Sequence, residues 1–236
     1  MMKCIIENPT CDGYGQIKIN RDTYEFCPCT DIHKAYEIYR QSGASKHLMF
    51  FPSQLQFNPN ILTEHNGLIP FHELISTHNN SLAHMIKKRW HLILISDMGY
   101  GKTQYACTLL LLAAYQKYKS VFLDMRFIRD WLNDKTKKAQ MEKQLSEADI
   151  IVIDDLGVEN YTDFNLNNVI NNIDAIIRDH TGLLIVTSNC KIADMKTAYP
   201  NGRITSALLK GDRKIYAFLE QSIRHQPTDE KIKQIP

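Results

Sequence analysis

The chain has 236 residues, 44% of them apolar, enough for one principal core and a small satellite module. A formal charge of +2 and a pI near 8.1 exclude a globally basic nucleic-acid binder, so any such contact must come from a local cluster of Lys and Arg. The longest apolar run, Leu109 to Ala114, is far short of the roughly 20 residues of a membrane helix, and the start MMKCIIENPTCDGYG lacks the apolar stretch of a secretory leader, so no membrane contact and a cytoplasmic location are expected.

Four of the six cysteines, Cys4, Cys11, Cys27 and Cys29, fall in the first 29 residues, with Gly13 and Gly15 supplying turns between them. A reducing compartment makes a disulfide frame unexpected. Cys107 and Cys190 read as small buried residues. A polar helix is predicted near Asp31 to Gln41, and Ser42, Gly43, Pro52, Pro59 and Asn60 then interrupt any sustained period. The chain therefore divides into an N-terminal module (1–42), a linker (43–70), a main domain (71–225) and a flexible polar tail (226–236).

From Phe71 onward, apolar runs alternate with helical patterns: His91 to Ile95, Val121 to Leu123, Ile150 to Ile153, Leu183 to Val186 and Ile215 to Phe218. A strand exposed on one face would alternate polar and apolar residues. Continuous apolar strands separated by helices therefore predict an α/β fold, a parallel sheet of about five strands covered on both faces.

After the first of these strands comes Ser96-Asp97-Met98-Gly99-Tyr100-Gly101-Lys102-Thr103, then a helical stretch from Gln104. A strand, a glycine-containing turn and Lys-Thr opening a helix let backbone N–H groups and the positive helix end face a polyphosphate. This matches GxxxxGK[ST] except that Ser96 stands at the first glycine. Residues 96–104 are thus candidates to bind ATP or ADP, with Lys102 on the β and γ phosphates and Thr103 on Mg²⁺.

Between the second and third strands lies Arg126 to Gln144. Phe127, Ile128, Trp131 and Leu132 stand there beside Arg126, Arg129, Lys135, Lys137, Lys138 and Lys143. Basic residues near aromatics suit a single-stranded nucleic acid, whereas the same apolar spacing suits one buried helix face. The third strand ends in Asp154-Asp155-Leu156-Gly157, delivering two carboxylates to the edge where α/β proteins bind ligands. Asp154 is the expected Mg²⁺ partner, and Asp155 can orient or deprotonate an attacking water. The fourth strand runs into Thr187-Ser188-Asn189, whose amide can hydrogen-bond that water or the γ-phosphate.

These pieces, in order with Ser42 to Ser45 (SGAS), ADIIVIDDLG, LLIVTSN, GRITSALL and QSIR, resemble the AAA+ P-loop ATPases. Within them they resemble the bacterial helicase loaders of the DnaC and DnaI type, their phage relatives and the IstB transposition ATPases. The resemblance implies an ATPase that loads a hexameric replicative DNA helicase onto single-stranded DNA and self-assembles into ATP-bridged oligomers. It makes Asn189 a sensor and Arg224 a second sensor, and it implies DNA contact by the extra helical element at 126–144. The family's arginine finger falls at Ala207, so either Arg203 substitutes for it or ATP is bound better than it is hydrolysed. Loaders of this kind begin with a small zinc module, which implies Zn²⁺ on Cys4, Cys11, Cys27 and Cys29, with His33 as a replacement for Cys4. The other readings are an IstB-like transposition ATPase and a weakly hydrolysing decoy that blocks helicase loading.

Overall fold

The computed structural model describes residues 16–19, 23–27, 29–44, 60–63, 67–157, 163–199 and 202–218. Two short antiparallel strands, β1 (Gln16–Lys18) and β2 (Tyr24–Phe26), precede helix α1 (Cys29–Gln41). A hairpin of β3 (Asn60–Thr63) and β4 (Leu68–Pro70) leads directly into α2 (Phe71–Lys87), where Pro70, at φ −60°, stands immediately before the first turn. The remainder is β5 (His91–Ile95), α3 (Lys102–Tyr115), β6 (Ser120–Asp124), α4 (Ile128–Asn133), α5 (Lys135–Glu147), β7 (Ile150–Asp154), α6 (Asp163–Asp179), β8 (Leu183–Ser188), α7 (Ile192–Ala198), α8 (Arg203–Leu208) and β9 (Arg213–Phe218).

The main sheet has the strand order β4-β3-β9-β5-β8-β7-β6. Its five parallel strands, β9, β5, β8, β7 and β6, are those the apolar runs predict. The other two were expected to be linker. β3 lies antiparallel to β9, with Ile61 opposite Phe218, and β4 pairs with β3. Strands of four and three residues, the second ending in Pro70, are too short for a period of two to register. At the opposite side of the sheet, the Phe122 amide donates to the Ser42 carbonyl at 2.8 Å, so the chain leaving α1 covers part of β6.

Successive residues of each central strand point to opposite faces. Leu92, Leu94, Ile150, Val152, Leu183 and Ile185 pack with α1, α2 and α3, whereas Ile93, Ile151, Ile153, Leu184 and Val186 pack with α4, α6 and α8. Helix α3 packs against the sheet, α1 and α2 and is buried nearly all round, from Tyr105 through Ala114. That burial explains why its sequence reads as an unpatterned apolar run. Tyr39 of α1 is fully buried in the same core. Among the described residues no helix is long and apolar enough to cross a membrane.

Candidate functional site

The C-terminal ends of the parallel strands open onto a cleft of about 350 Å³ lined by Met98, Gly99, Gly101, Lys102, Thr103, Gln104, Arg126, Asp154, Asp155 and Asn189. The turn between β5 and α3 shapes one wall. Gly101 caps α3 at φ 90°, a backbone conformation that penalises any side chain, and no side chain caps that helix end. The first-turn amides of α3 are therefore available to an anion. Met98 at the tip of the turn is 64% exposed.

Lys102 is only 5% exposed. Its ammonium donates to the Ser96 carbonyl at 2.8 Å, the Ser96 hydroxyl at 3.0 Å, the Asp97 carbonyl at 2.9 Å and Asn189 Oδ1 at 2.9 Å. A buried cation is tolerable only when its donors are used, and these four oxygens use them. Ser96, the residue at the missing glycine position, thus supplies two acceptors. Tyr100 is partly buried against the α2 and α3 core, and the side chain of Asn189 reaches from the end of β8 to Lys102.

The acidic wall is built by β7 and β8. Asp154 is 2% exposed, and its Oδ1 accepts from the Thr103 hydroxyl at 2.9 Å and the Thr187 hydroxyl at 2.7 Å. Thr187 Oγ1 in turn accepts from the Asp155 amide at 2.9 Å. Asp155 has φ 59°, a left-handed turn residue that carries the chain off the strand end. Burial pushes the Asp154 carboxyl up to about 6, opposed by the Thr187 hydrogen bond, raised further by Asp155, opposed by the Thr103 hydrogen bond and raised by Asp124. A carboxylate ionised at that cost beside a hydroxyl is a fitting donor set for a small divalent cation such as Mg²⁺.

Other expected residues lie elsewhere. Arg203 opens α8 and is held on α6: it donates to Asn171 Oδ1 at 2.8 Å and Asp174 Oδ2 at 2.7 Å, while Arg178 donates to Asp174 Oδ1 at 2.7 Å. Asp174 is buried at 3% exposure, so Arg203 compensates an interior charge. Ala207 is buried at 2%. Cys27 and Cys29 are buried where β2 meets α1, and His33, one helical turn along α1, has a buried Nε2 with no hydrogen-bond partner among the described residues. Cys4, Cys11 and Arg224 lie outside the described residues. Among the described residues no cluster of three or more His, Cys, Asp or Glu is arranged to hold a metal ion.

Two residues of the site have no motif to announce them. Thr187 could be found only as the first residue of Thr187-Ser188-Asn189. Arg126 comes to the cleft because β6 runs beside β7, with Asp124 paired to Asp154.

A family profile described as IstB-like ATP binding protein matches residues 74–223. No curated protein matches the chain. Among solved structures the chain is similar to the DnaC helicase loader, at 19% identity and TM-score 0.52 over 63% of this chain and 88% of that one. It is also similar to DnaI, at 15% identity and TM-score 0.55 over 74% and 90%. A third is the replication initiator DnaA bound to AMPPCP and single-stranded DNA, at 12% identity and TM-score 0.50 over 64% and 46%. At these identities the likeness is one of fold, the AAA+ P-loop arrangement of helices about a parallel sheet. With the profile spanning the cleft and most of the sheet, the chain belongs to the IstB-like ATP-binding family and is a P-loop ATPase.

Proposed function

We propose that the cleft takes ATP with Mg²⁺ and that its occupancy governs the loading of a hexameric replicative DNA helicase onto single-stranded DNA. The observation carrying this reading is the convergence of Lys102, Thr103, Asp154, Asp155 and Asn189 on one cleft at the uncapped end of α3. Lys102 leaves its four oxygens for the β and γ phosphates, and Thr103 and Asp154 hold Mg²⁺, which neutralises charge on the phosphate oxygens when bound. Asp155 takes the proton of a water that attacks the γ-phosphorus as the bond to the bridging oxygen breaks and ADP departs. Asn189 hydrogen-bonds that water or the γ-phosphate, and Arg224 acts as the second sensor. DnaC, described as a helicase loader, shares the fold, as does a DnaA bound to a triphosphate analogue and single-stranded DNA.

In this reading residues 1–42 form a zinc module that contacts the helicase. Cys27, Cys29 and the His33 Nε2, which has no hydrogen-bond partner among the described residues, support it as a donor set that Cys11 completes, with His33 in place of Cys4. ATP bridges neighbouring copies. The decisive experiment is a helicase-loading assay on single-stranded DNA with ATP, with a non-hydrolysable analogue and with Lys102→Ala. Loading by the wild type, lost in the variant together with nucleotide binding by calorimetry, is expected. Failure to capture the helicase with or without ATP overturns the loader reading, and filaments on duplex DNA would instead favour a transposition ATPase. The same preparation is expected to carry about one zinc per chain, lost in Cys27→Ser.

One observation favours a second reading, a decoy that binds ATP and hydrolyses it weakly. Ala207 is buried, and Arg203 is engaged by Asp174 and Asn171 of its own chain. Turnover stimulated by single-stranded DNA and lost in Arg203→Ala would eliminate it.

A further inference from the structure

Among the described residues lining the cleft there are two cations, Lys102 and Arg126. Arg126 sits just beyond β6, on the side of the acidic wall away from the β5 turn. Its Nε donates to Asp124 Oδ1 at 2.9 Å and a terminal nitrogen donates to Asp124 Oδ2, a two-pronged pairing that matches a carboxylate. Geometrically, a phosphate presents the same pair of oxygens to the same fork.

The Arg126 side chain is 59% exposed. Its partner Asp124 is 17% exposed, whereas Arg203 is held on Asp174, whose side chain is 5% exposed, so the Asp124 pair is the more readily exchanged of the two. Asp124 also stands beside Asp154 in register, so a polyphosphate entering the cleft competes with Asp124 for the same guanidinium. Chain length decides whether it succeeds. The strand order puts β8 and β7 between the β5 turn and β6, so a nucleotide anchored by its first phosphates on the α3 end extends its last phosphate toward Asp155 and Arg126.

We propose that Arg126 distinguishes triphosphate from diphosphate in cis: held by Asp124 in the empty cleft, it transfers its fork to the terminal phosphate of ATP and stays on Asp124 when ADP is bound. This rests on the reading of the cleft as an ATP site. It assigns the discrimination to a residue of the same chain, where Ala207 supplies no guanidinium from a neighbour. The transfer also reaches the surface. The Arg126 guanidinium carbon lies 5.7 Å from the centroid of the Phe127 ring, which is 58% exposed at the head of α4. A change of Arg126 partner therefore alters the support of an exposed aromatic at the surface.

The test is the ratio of the ADP Kd to the ATP Kd, measured by calorimetry with Mg²⁺ on the full chain and on Arg126→Ala, Arg126→Gln and Lys102→Ala. The ratio is expected to fall by at least about tenfold in both Arg126 variants, with ADP affinity held within about twofold. An unchanged ratio, or equal weakening of both nucleotides, overturns the proposal and leaves Arg126 a structural partner of Asp124. The glutamine variant retains donors for Asp124, so it keeps the test alive if the alanine variant does not fold. Wild-type protein that binds neither nucleotide refutes the ATP reading of the cleft itself, a result distinct from failure of the Arg126 assignment.

Discussion

Asp154 is buried where its charge is unfavourable, and the sign of its effect on folding follows. Its carboxyl titrates at about 6 in the folded chain, against 3.8 for a free one. The folded state therefore holds more protons than the unfolded state between those values, and stability falls as pH rises through that window. A displacement of that size corresponds to about 3 kcal/mol. Asp154→Asn keeps an oxygen for Thr103 and Thr187 and removes the charge. Without Mg²⁺ it is expected to melt higher than wild type, by a margin that opens between about pH 4 and 6 and is constant above, and to lose stabilisation by Mg²⁺ and ATP. A margin independent of pH in thermal melts would contradict this. The residues legible in the sequence, Lys102, Thr103 and Asp154, each stand beside an apolar strand whose end places them. Thr187 and Arg126 were not legible in these roles, because the register between strands far apart in sequence brings them to Asp154 and the cleft.

Burial in and around α4 and α5 sorts the apolar residues of 126–144, whose spacing leaves two readings open. Ile128 and Trp131 are buried at 2% and 9%, while Phe127 is 58% exposed and α5 buries no residue at all. The four apolar residues of this segment therefore divide: Ile128, Trp131 and partly Leu132 join the core under α6, and Phe127 remains outside. Asp134 begins α5 by accepting from the Thr136 and Lys137 amides, and the partly buried Met141 and Leu145 rest the lysine-bearing helix against the core. Trp131→Ala is expected to cost about 3–5 kcal/mol in denaturant unfolding. Phe127→Ala should leave stability within about 0.5 kcal/mol and weaken retention of single-stranded oligonucleotide in fluorescence anisotropy. The reverse pattern would place the core and the surface the wrong way round. The β3–β4 hairpin was illegible for a related reason: it has too few residues for a period, and its partner Phe218 lies far along the chain from Ile61.

Across the whole molecule, a buried polar link ties the helix of the cleft to α2 and to strand β9 on the same face of the sheet. His78 of α2 is hydrogen-bonded on one ring nitrogen to the Tyr105 hydroxyl of α3 and on the other to the Tyr216 hydroxyl of β9. Burial, aided by Lys214, lowers the His78 imidazole to about 4, so it serves as a neutral ring between two phenols. Its linkage runs opposite to that of Asp154: the unfolded chain binds the extra proton between about 4 and 6.5, and stability is lost as pH falls through that range. The wild-type acid limb is thus a partial cancellation of the two groups.

The residues ahead of α2 do more than connect. The hairpin covers the β9 side of the sheet and Ser42 caps an amide of β6, so the parallel strands present little raw edge to their surroundings. A fragment begun at Phe71, the natural place to cut if everything before it were tether, would bare main-chain donors and acceptors along both flanks at once. Such flanks are templates for strand addition by identical neighbours. The isolated ATPase fragment should consequently fail by stacking with itself, even with every residue of its catalytic cleft intact.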